Sequence, residues 1–202
     1  MSLVQLLHVT HNAEHLIESC GRTCYKSTSC ITAESYARFI RKLIESGHES
    51  VLEHASATFR ISGVSRSFSH QLVRHRLASF SQESQRYVKS DSKNFVIPLA
   101  LMDNIEAHKI AEDALLHAEQ AYEDLIHIHK IKKEDARCVL PNATPTEIVV
   151  TMNFRELRHF FKLRLSTHAQ AEIRDVACKM CHAVGAEAPN VFADLIKILE
   201  KA

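Results

Sequence analysis

Apolar residues recur with two different periods along this chain of 202 residues, and that mixture restricts the fold more than any other feature. Between His54 and Ser62 every second residue is apolar, which predicts a strand with one buried and one polar face. Between Thr32 and Gly47 the apolar residues follow the helical period instead, with Thr32 placed to cap the helix and Gly47 to end it. A chain that contains both patterns requires helices packed against a sheet.

The same two patterns locate the other elements. Further strands are predicted at Leu3 to Val9 and Ile148 to Met152, and further helices at Ser65 to Arg76 with Phe68, Leu72 and Val73 inward, Asp103 to Asp135, Arg155 to Ser166, Ala169 to Gly185, and Pro189 to Glu200. The segment Ser79 to Tyr87 is too polar for a core element, so we expect a loop there. Because no repeat or linker interrupts the chain, we predict a single domain over residues 1–202. Its class is α+β: helix-rich, with one mostly antiparallel sheet.

Composition argues against several kinds of function. Lys and Arg total 25 against 24 for Asp and Glu, and the net charge of +1 provides no field to steer the protein onto nucleic acid. The longest apolar run, Val96 to Met102, is too short to cross a membrane, and the first residues lack the features of a secretion signal. Six cysteines are then expected to be thiols in a reducing compartment. We expect a cytoplasmic protein that binds neither nucleic acid nor membrane.

Positive charge is concentrated in one segment. From Arg60 to Ser90 there are five arginines and one lysine against a single acid, Glu83. The four glycines lie too far apart to form a phosphate-binding loop, so side chains would have to bind any nucleotide. Guanidinium groups match phosphate oxygens, although a solvated basic loop is equally compatible with the composition. If Ser84 to Arg86 is extended, those two side chains share one face.

Specific motifs distinguish between these alternatives. Arg74-His75-Arg76, followed after seven residues by Ser84, resembles the signature of the flavin-dependent thymidylate synthases, the ThyX family. Other segments similar to motifs of that family are Gly47 to His54, Ser69 to Val73, Arg137 to Pro141, and four pieces of a C-terminal block: Asn153 to Arg155, His159-Phe160, Leu163-Arg164 and His168 to Ile173. The resemblance covers the chain from about Arg22 to Ile173.

The resemblance implies a homotetramer that binds FAD and methylates deoxyuridine monophosphate (dUMP) to dTMP, with sites shared between subunits. It also implies 5,10-methylenetetrahydrofolate as carbon donor, NADPH as reductant and no metal ion. A reduced flavin supplies hydride in this family, so none of the six cysteines is needed as a nucleophile. By the same resemblance Arg164 is the catalytic residue, a cation that stabilises the electron-rich form of the uracil ring.

The resemblance also assigns binding residues. The cofactor set is Ser50, Glu53, Arg74, His75, Arg76, Gln82, Asn153, Arg155 and His159. The set for the substrate nucleotide is Gln71, Arg74, Gln82, Glu83, Ser84, Gln85, Arg86, Arg137 and Arg164. Four positions depart from the family pattern: Ser81-Gln82 stand where Asn-Glu is frequent, His159 where some relatives have Asn, and Cys24 where some have Ser.

Two short motifs indicate other chemistry. Cys178 to His182 spells a haem-attachment site, but it lies in a predicted helix, where packed thiols are the simpler interpretation. His11 to His15 matches the zinc-binding pattern H-x-x-E-H, yet no third ligand can be identified. The histidines make a zinc hydrolase one rival function. The other rival is a nucleic-acid-binding module, built on the basic segment from Arg60 to Lys89.

Overall fold

The structure is a computed structural model that describes residues 2–90 and 94–200. The chain forms two compact units. The first unit comprises Met1–Leu3, Ile61–Arg74 and Ser81–Ile148, and the second comprises Val4–Arg60, His75–Phe80 and Val149–Ala202. None of the helices in residues 2–90 and 94–200 has the length and apolar character needed to cross a membrane.

The described residues confirm the predicted helix-rich α+β class with an antiparallel sheet. The strands are β1 (Leu3–Val9), β2 (Ser56–Ser65), β3 (Ala78–Gln82) and β4 (Pro145–Asn153). The α-helices are α1 (Ala13–Thr23), α2 (Ser35–Glu45), α3 (Arg66–Leu72), α4 (Leu99–Met102), α5 (Ile105–His127), α6 (Lys133–Ala136), α7 (Phe154–Arg164), α8 (Ala171–Glu187) and α9 (Pro189–Leu199). Short 3-10 helices lie at Thr28–Cys30, Glu49–His54 and Arg137–Val139.

The four strands form one sheet in the order β1-β2-β4-β3, and each strand has residues in the second unit. The predicted alternation in β2 is confirmed, because Ala57 and Phe59 are fully buried. The hydroxyl of Thr58, between them, is hydrogen-bonded to that of Thr151 on β4 at 2.9 Å. This cross-strand pair aligns β2 with β4 on the polar face of the sheet.

Aromatic packing joins α7 to α9 in the second unit. The ring of Phe192 on α9 meets those of Phe154 and Phe161 on α7 edge-on, with centroids 5.2 and 5.8 Å apart. The carboxylate of Glu14 on α1 accepts hydrogen bonds from the backbone N–H of Asn190 at 2.7 Å and from its side-chain amide at 2.8 Å. A negative charge at the beginning of α9 is favourable because the first N–H groups of a helix have no partner within it.

In the first unit α3 begins as predicted. The hydroxyl of Ser65 caps the helix by accepting a hydrogen bond from the N–H of Phe68 at 3.0 Å, and Phe68 and Leu72 are fully buried. The long helix α5 buries Tyr122, whose hydroxyl accepts a hydrogen bond from the N–H of Ser90 at 3.5 Å. These contacts anchor both ends of the segment that contains the predicted nucleotide-binding residues.

Two predictions next to that segment are wrong. Helix α3 ends at Leu72 and does not continue to Arg76, because the N–H of Arg74 bonds to the carbonyl of Gln71 in a tight turn. Val73, expected to point inward, is 38% exposed. The expected loop from Ser79 is instead β3 as far as Gln82. This strand lies at the edge of the sheet, where backbone hydrogen bonds to one neighbour suffice and polar side chains can face water.

Helix boundaries differ elsewhere. Helix α2 begins at Ser35, and Thr32 does not cap this helix. The N–H of Thr32 instead donates to the hydroxyl of Ser35 at 2.9 Å. The predicted helix from Asp103 to Asp135 is divided into α5 and α6, since Lys130 adopts a φ of 57° that a right-handed helix does not accommodate. Helix α1 was not predicted, although Ala13, Ile17 and Gly21 are buried at helical spacing.

Candidate active site

The predicted site residues form two groups, one in each unit. Those in the first unit are Gln71, Arg74, Gln82, Glu83, Ser84, Gln85, Arg86 and Arg137. Those in the second unit are Ser50, Glu53, His75, Arg76, Asn153, Arg155, His159 and Arg164. All but one of the substrate residues therefore belong to the first unit, and most of the cofactor residues belong to the second.

Glu134 brings two predicted arginines of the first unit together. Its carboxylate accepts a hydrogen bond from Nε of Arg86 at 3.3 Å, and its backbone carbonyl accepts one from Nε of Arg137 at 3.1 Å. Both arginine side chains are exposed. Their guanidinium groups are thus held close to one residue with donors available for an anion.

A third arginine of the first unit, Arg66, was not among the predicted site residues. It is half-buried at the beginning of α3, and its N–H donates to the carbonyl of Thr144 at 2.9 Å. Burial lowers the pKa of Arg66, the positive charge of Arg137 lowers it further, and Glu83 acts in the opposite direction. Arg66, Glu83 and Arg137 are therefore close enough to interact electrostatically. The only sequence signal for Arg66 was its place in the basic segment.

Gln82 is fixed by two hydroxyl groups. Its side-chain amide donates to the hydroxyls of Ser69 at 2.8 Å and Thr146 at 3.2 Å, and both of those residues are buried. The hydroxyl of Ser69 donates to the carbonyl of Arg66 at 3.0 Å and accepts from Gln82, which suits an amide. The Glu of the family pattern could accept from Thr146 but would need Ser69 to give up its bond to Arg66.

The segment after Gln82 is a turn, so the extended backbone that would place Ser84 and Arg86 on one face is not present. The carbonyl of Ser84 accepts hydrogen bonds from the N–H groups of Tyr87 at 3.1 Å and Val88 at 2.9 Å. The hydroxyl of Ser84 accepts one from the N–H of Arg86 at 3.3 Å. These bonds close the turn and satisfy backbone groups that an extended segment would leave to other partners.

In the second unit, α7 begins at a capped junction with β4. The side-chain oxygen of Asn153 accepts a hydrogen bond from the N–H of Glu156 at 2.8 Å, which identifies Asn153 as the N-cap of α7. Arg155 and His159 follow on the exposed side of α7, one turn apart. Arg155 also forms an ion pair with Glu53, a residue of the 3-10 helix Glu49–His54.

A buried chain of hydrogen bonds connects His75 to Arg164. Nδ1 of His75 lies 3.2 Å from Oε1 of Glu156, and Nε of Arg164 donates to Nε2 of His75 at 3.1 Å. His75 is 5% exposed and Glu156 is 6% exposed. Burial, then the positive charge of Arg164, then His159, lower the pKa of His75 to about 4. Burial raises the pKa of Glu156, and His159 acts against it.

The remaining predicted residues lie on the surface or close to it. Ser50, Arg74 and Arg76 are exposed, while Gln71 and Gln85 are half-buried. Within residues 2–90 and 94–200, no side-chain hydrogen bond joins Arg74, Arg76 or Gln85 to another predicted site residue. The structure therefore leaves these three side chains accessible for contacts outside the chain.

The two motifs that indicated other chemistry are not arranged as that chemistry requires. Helix α1 begins at Ala13, so His11 lies outside it and does not share a helical face with His15, as the zinc pattern requires. Cys181 is buried in α8, and burial raises the pKa of its thiol to about 12. Within residues 2–90 and 94–200, no cluster of three or more His, Cys, Asp or Glu side chains is suitable for a metal ion.

The exposed donors of the second unit fit a flavin dinucleotide. Arg155 and His159 are accessible on α7, and Ser50 and Arg76 are exposed as well. Guanidinium groups bind pyrophosphate, and imidazole and hydroxyl groups can donate to the carbonyl oxygens of a flavin ring. These residue types are therefore suited to such a cofactor.

Comparison with known proteins agrees with the family resemblance of the sequence motifs. Residues 5–190 match the model of a family described as "Thy1: Thymidylate synthase complementing protein". The chain is 43% identical over 199 residues to the flavin-dependent thymidylate synthase of Geobacter sulfurreducens, covering 95% of this chain and 85% of that protein. It is 42% identical over 195 residues to the enzyme of the same name from Mycobacterium tuberculosis, covering 89% and 78% respectively.

Solved structures with the same fold contain ligands. Thymidylate synthase X from Helicobacter pylori, crystallised with FAD and dUMP, aligns with a TM-score of 0.81 and 26% identity over 98% of this chain and 100% of that one. A UMP/dUMP methylase, PolB from Streptomyces cacaoi, bound to 5-Br dUMP, aligns with a TM-score of 0.83 and 26% identity, covering 96% and 93%.

Proposed function

The chain belongs to the flavin-dependent thymidylate synthase family, and we propose that it works through two sets of residues, one in each unit. It is a methyltransferase that converts dUMP to dTMP with FAD as cofactor. Replacing the hydrogen on carbon 5 of uracil with a methyl group requires a one-carbon unit and two electrons to reduce it. We propose 5,10-methylenetetrahydrofolate as the carbon donor and NADPH as the source of electrons.

The arginine cluster of the first unit is the single observation that carries the proposed site. Arg66, Arg86 and Arg137 outnumber the two carboxylates beside them, Glu83 and Glu134, so the cluster has a net positive charge. A nucleotide phosphate carries up to two negative charges, and guanidinium groups bind it through paired hydrogen bonds. We assign the phosphate of dUMP to this cluster. The proposed contacts to ribose and base come from Gln71, Arg74, Gln82, Glu83, Ser84 and Gln85.

The second unit is proposed to bind the flavin. Arg155 and His159, accessible on one side of α7, would contact it together with the other cofactor residues of this unit, Ser50, Glu53, His75, Arg76 and Asn153. Arg74 and Gln82, the two cofactor residues that belong to the first unit, stay predictions. When bound, the reduced flavin supplies the hydride that completes the methyl group. Both ring nitrogens of His75 already have partners within the chain, so His75 would contact the flavin through its ring carbons or backbone.

Arg164 is proposed as the catalytic cation. Carbon 5 of uracil attacks an electrophile more readily when negative charge develops on the ring, and a guanidinium beside the imide stabilises that charge. A guanidinium has five N–H donors and no acceptor, so it can only donate at this position. In this role its effect is larger on the transition state than on ground-state binding.

We also propose that residues 1–202 act as one cytoplasmic catalytic domain that assembles as a homotetramer with sites shared between subunits. The family match over residues 5–190 supports one domain, and six free cysteines are typical of a reducing compartment. Assembly is supported by large apolar side chains exposed on α4 and α5: Leu99 (70%), Met102 (53%), Ile105 (87%), Ile110 (72%) and Leu116 (55%). Light scattering of the purified protein tests the assembly: a mass four times 22.9 kDa supports it, and a monomer contradicts it.

The activity is tested with purified protein loaded with FAD. We expect dTMP from dUMP, with each of 5,10-methylenetetrahydrofolate and NADPH required. Parallel reactions with UMP determine whether the chain shares the wider substrate range stated for the PolB methylase. A protein that fails to bind FAD and binds zinc, or that binds oligonucleotides in a salt-dependent manner without affinity for dUMP, would instead support one of the rival functions.

Arg164→Ala tests the catalytic assignment. We expect turnover to fall by about 100-fold or more while FAD occupancy, measured by flavin absorbance, is retained. Loss of FAD with turnover per bound flavin unchanged would contradict the assignment, because Arg164 would then serve the cofactor rather than the reacting ring.

A further inference from the structure

Glu156, Phe160 and Arg164 lie four residues apart in sequence and therefore share one face of α7. His75 packs along that face: its ring meets Phe160 edge-on with centroids 4.9 Å apart, and its two nitrogens reach Glu156 at 3.2 Å and Arg164 at 3.1 Å. Two successive hydrogen bonds thus connect a buried carboxyl group to the half-buried guanidinium of Arg164.

The chemistry of the three groups determines the direction of both hydrogen bonds. Arg164 can only donate, so Nε2 of His75 must be the acceptor and carries no proton. A neutral imidazole has one protonated nitrogen, so Nδ1 of His75 carries the proton and donates a hydrogen bond to Glu156. The low pKa of His75, about 4, agrees with a neutral ring at physiological pH. Protonated on both nitrogens, the ring would turn a donor toward Arg164 and break the second bond.

We propose that Glu156 and His75 are positioning residues: Glu156 fixes the tautomer of His75, and His75 then holds Nε of Arg164 so that the outer guanidinium nitrogens face the substrate. This inference rests on the proposed role of Arg164. Within residues 2–90 and 94–200, those outer nitrogens have no hydrogen-bond partner in the chain, so both can donate to a ligand. Glu156 belongs to neither predicted binding set, and no motif identified it.

A simple packing role would not account for these groups. Burying a carboxyl group and an imidazole is unfavourable unless each has a partner, and apolar residues would fill the same space at lower cost. The arrangement restrains a long, flexible arginine side chain through one of its nitrogens. Small displacements of a catalytic group lower the rate strongly, so such restraint favours turnover more than binding.

The test is a double-mutant cycle on the FAD-loaded enzyme. In the wild-type background, Glu156→Gln is expected to lower kcat by about 10-fold or more, with KM for dUMP and FAD occupancy changed by less than about 2-fold. In an Arg164→Lys background the same substitution should have no further effect on kcat, because Lys has no Nε–H for His75 to hold. Glu187→Gln, at an exposed carboxylate of α8 in the same unit, is the matched control and should leave kcat unchanged in both backgrounds.

Conservative substitutions provide a second comparison. Glu156→Asp, which keeps a carboxylate, should retain more activity than Glu156→Gln. If Glu156→Gln does not fold, Glu156→Asp takes its place in the cycle. His75→Gln, which keeps an acceptor for Arg164, should have a higher kcat than His75→Leu.

The results separate this inference from the proposed function. An unchanged kcat in Glu156→Gln, an equal loss in both backgrounds, or a loss explained by missing FAD would overturn the positioning role while leaving the thymidylate synthase activity intact. If the wild-type enzyme makes dTMP but Arg164→Lys and Arg164→Ala retain full kcat, the assigned role of Arg164 fails and the positioning role with it.

Discussion

Arg158 forms a bidentate ion pair with Asp194: its Nη1 and Nη2 lie 2.7 and 2.8 Å from the two carboxylate oxygens. The side chain of Arg158 is 1% exposed, and its Nε also donates to Glu49 at 3.2 Å. Burial alone would lower the pKa of Arg158, but the hydrogen bonds and negative charges of Asp194 and Glu49 outweigh it and raise the pKa. Arg158 thus remains charged and connects α7 to α9 and to the 3-10 helix that contains Ser50 and Glu53.

Removing Asp194 should destabilise the protein, because it leaves the buried charge of Arg158 with a weaker set of partners. Loss of one partner of a fully buried pair costs roughly 3–5 kcal/mol, and we expect about 2 kcal/mol for Asp194→Ala because that carboxylate is half in water. Urea denaturation measures the difference. Asp175→Asn breaks an exposed pair with Lys179 on α8 and should change stability by less than about 0.5 kcal/mol. Equal effects of the two substitutions would contradict the importance of burial.

Because of His75, we expect the free energy of unfolding to fall at mildly acidic pH. The unfolded chain binds a proton on this histidine near pH 6.5, whereas the folded chain keeps the ring neutral down to about pH 4. The contribution of His75 to the free energy of unfolding is therefore fully present above pH 6.5. It is lost as the pH falls from 6.5 toward 4, and the total loss is up to about 3 kcal/mol. The titratable or charged groups that face the ring are Glu156, His159 and Arg164, all on α7.

The measurement is the free energy of unfolding at several pH values for wild type and for His75→Gln, which cannot titrate there. The difference between the two proteins should shrink between pH 6.5 and pH 4. A difference that is constant over this range would show that His75 is protonated equally in both states.

Local patterns predicted local features well. The cap at Ser65, the alternation in β2 and the start of α9 at Pro189 each depend on residues close in sequence, and the structure confirms them. The edge strand β3 was missed because its stabilisation comes from backbone pairing with β4, which leaves no apolar pattern in Ser79 to Gln82. Helix α2 was placed three residues early because Ser35, fixed by Glu18 through a hydrogen bond of 2.8 Å, is where regular helical bonding begins.

The arrangement within the site depends on contacts that no sequence pattern encodes. His75 and Arg164 were both identified through their motifs, but their hydrogen bond joins residues 89 positions apart. Glu156 was missed because a glutamate in the first turn of a helix is ordinary, and only the packing of His75 against α7 gives it a special partner. Arg66 was counted as part of a basic segment, and its proximity to Arg137 became apparent only in three dimensions.

Arg66 should contribute to nucleotide binding. A hydrogen bond to a charged phosphate contributes about 1.5 kcal/mol or more, so Arg66→Gln is expected to raise KM for dUMP by about 10-fold with a smaller change in kcat. Steady-state kinetics at several dUMP concentrations test this. Arg41→Gln, at an exposed arginine of α2 in the other unit, is the control and should leave KM unchanged. An unaltered KM in Arg66→Gln would remove this residue from the phosphate cluster.

Gln82 provides a test of how the chain accommodates its departure from the family pattern. In Gln82→Glu the carboxylate can accept a hydrogen bond from Thr146, but the hydroxyl of Ser69 already donates to the carbonyl of Arg66 at 3.0 Å and would have to give up that bond, so we expect stability to fall by about 1 kcal/mol. In Gln82→Leu both hydroxyls lose this partner while they remain buried, and we expect a loss of about 2 kcal/mol. Urea denaturation of the three proteins distinguishes the cases. If Gln82→Glu is the less stable variant, the hydroxyls of Ser69 and Thr146 are fixed as acceptors, and this pocket is specific for an amide.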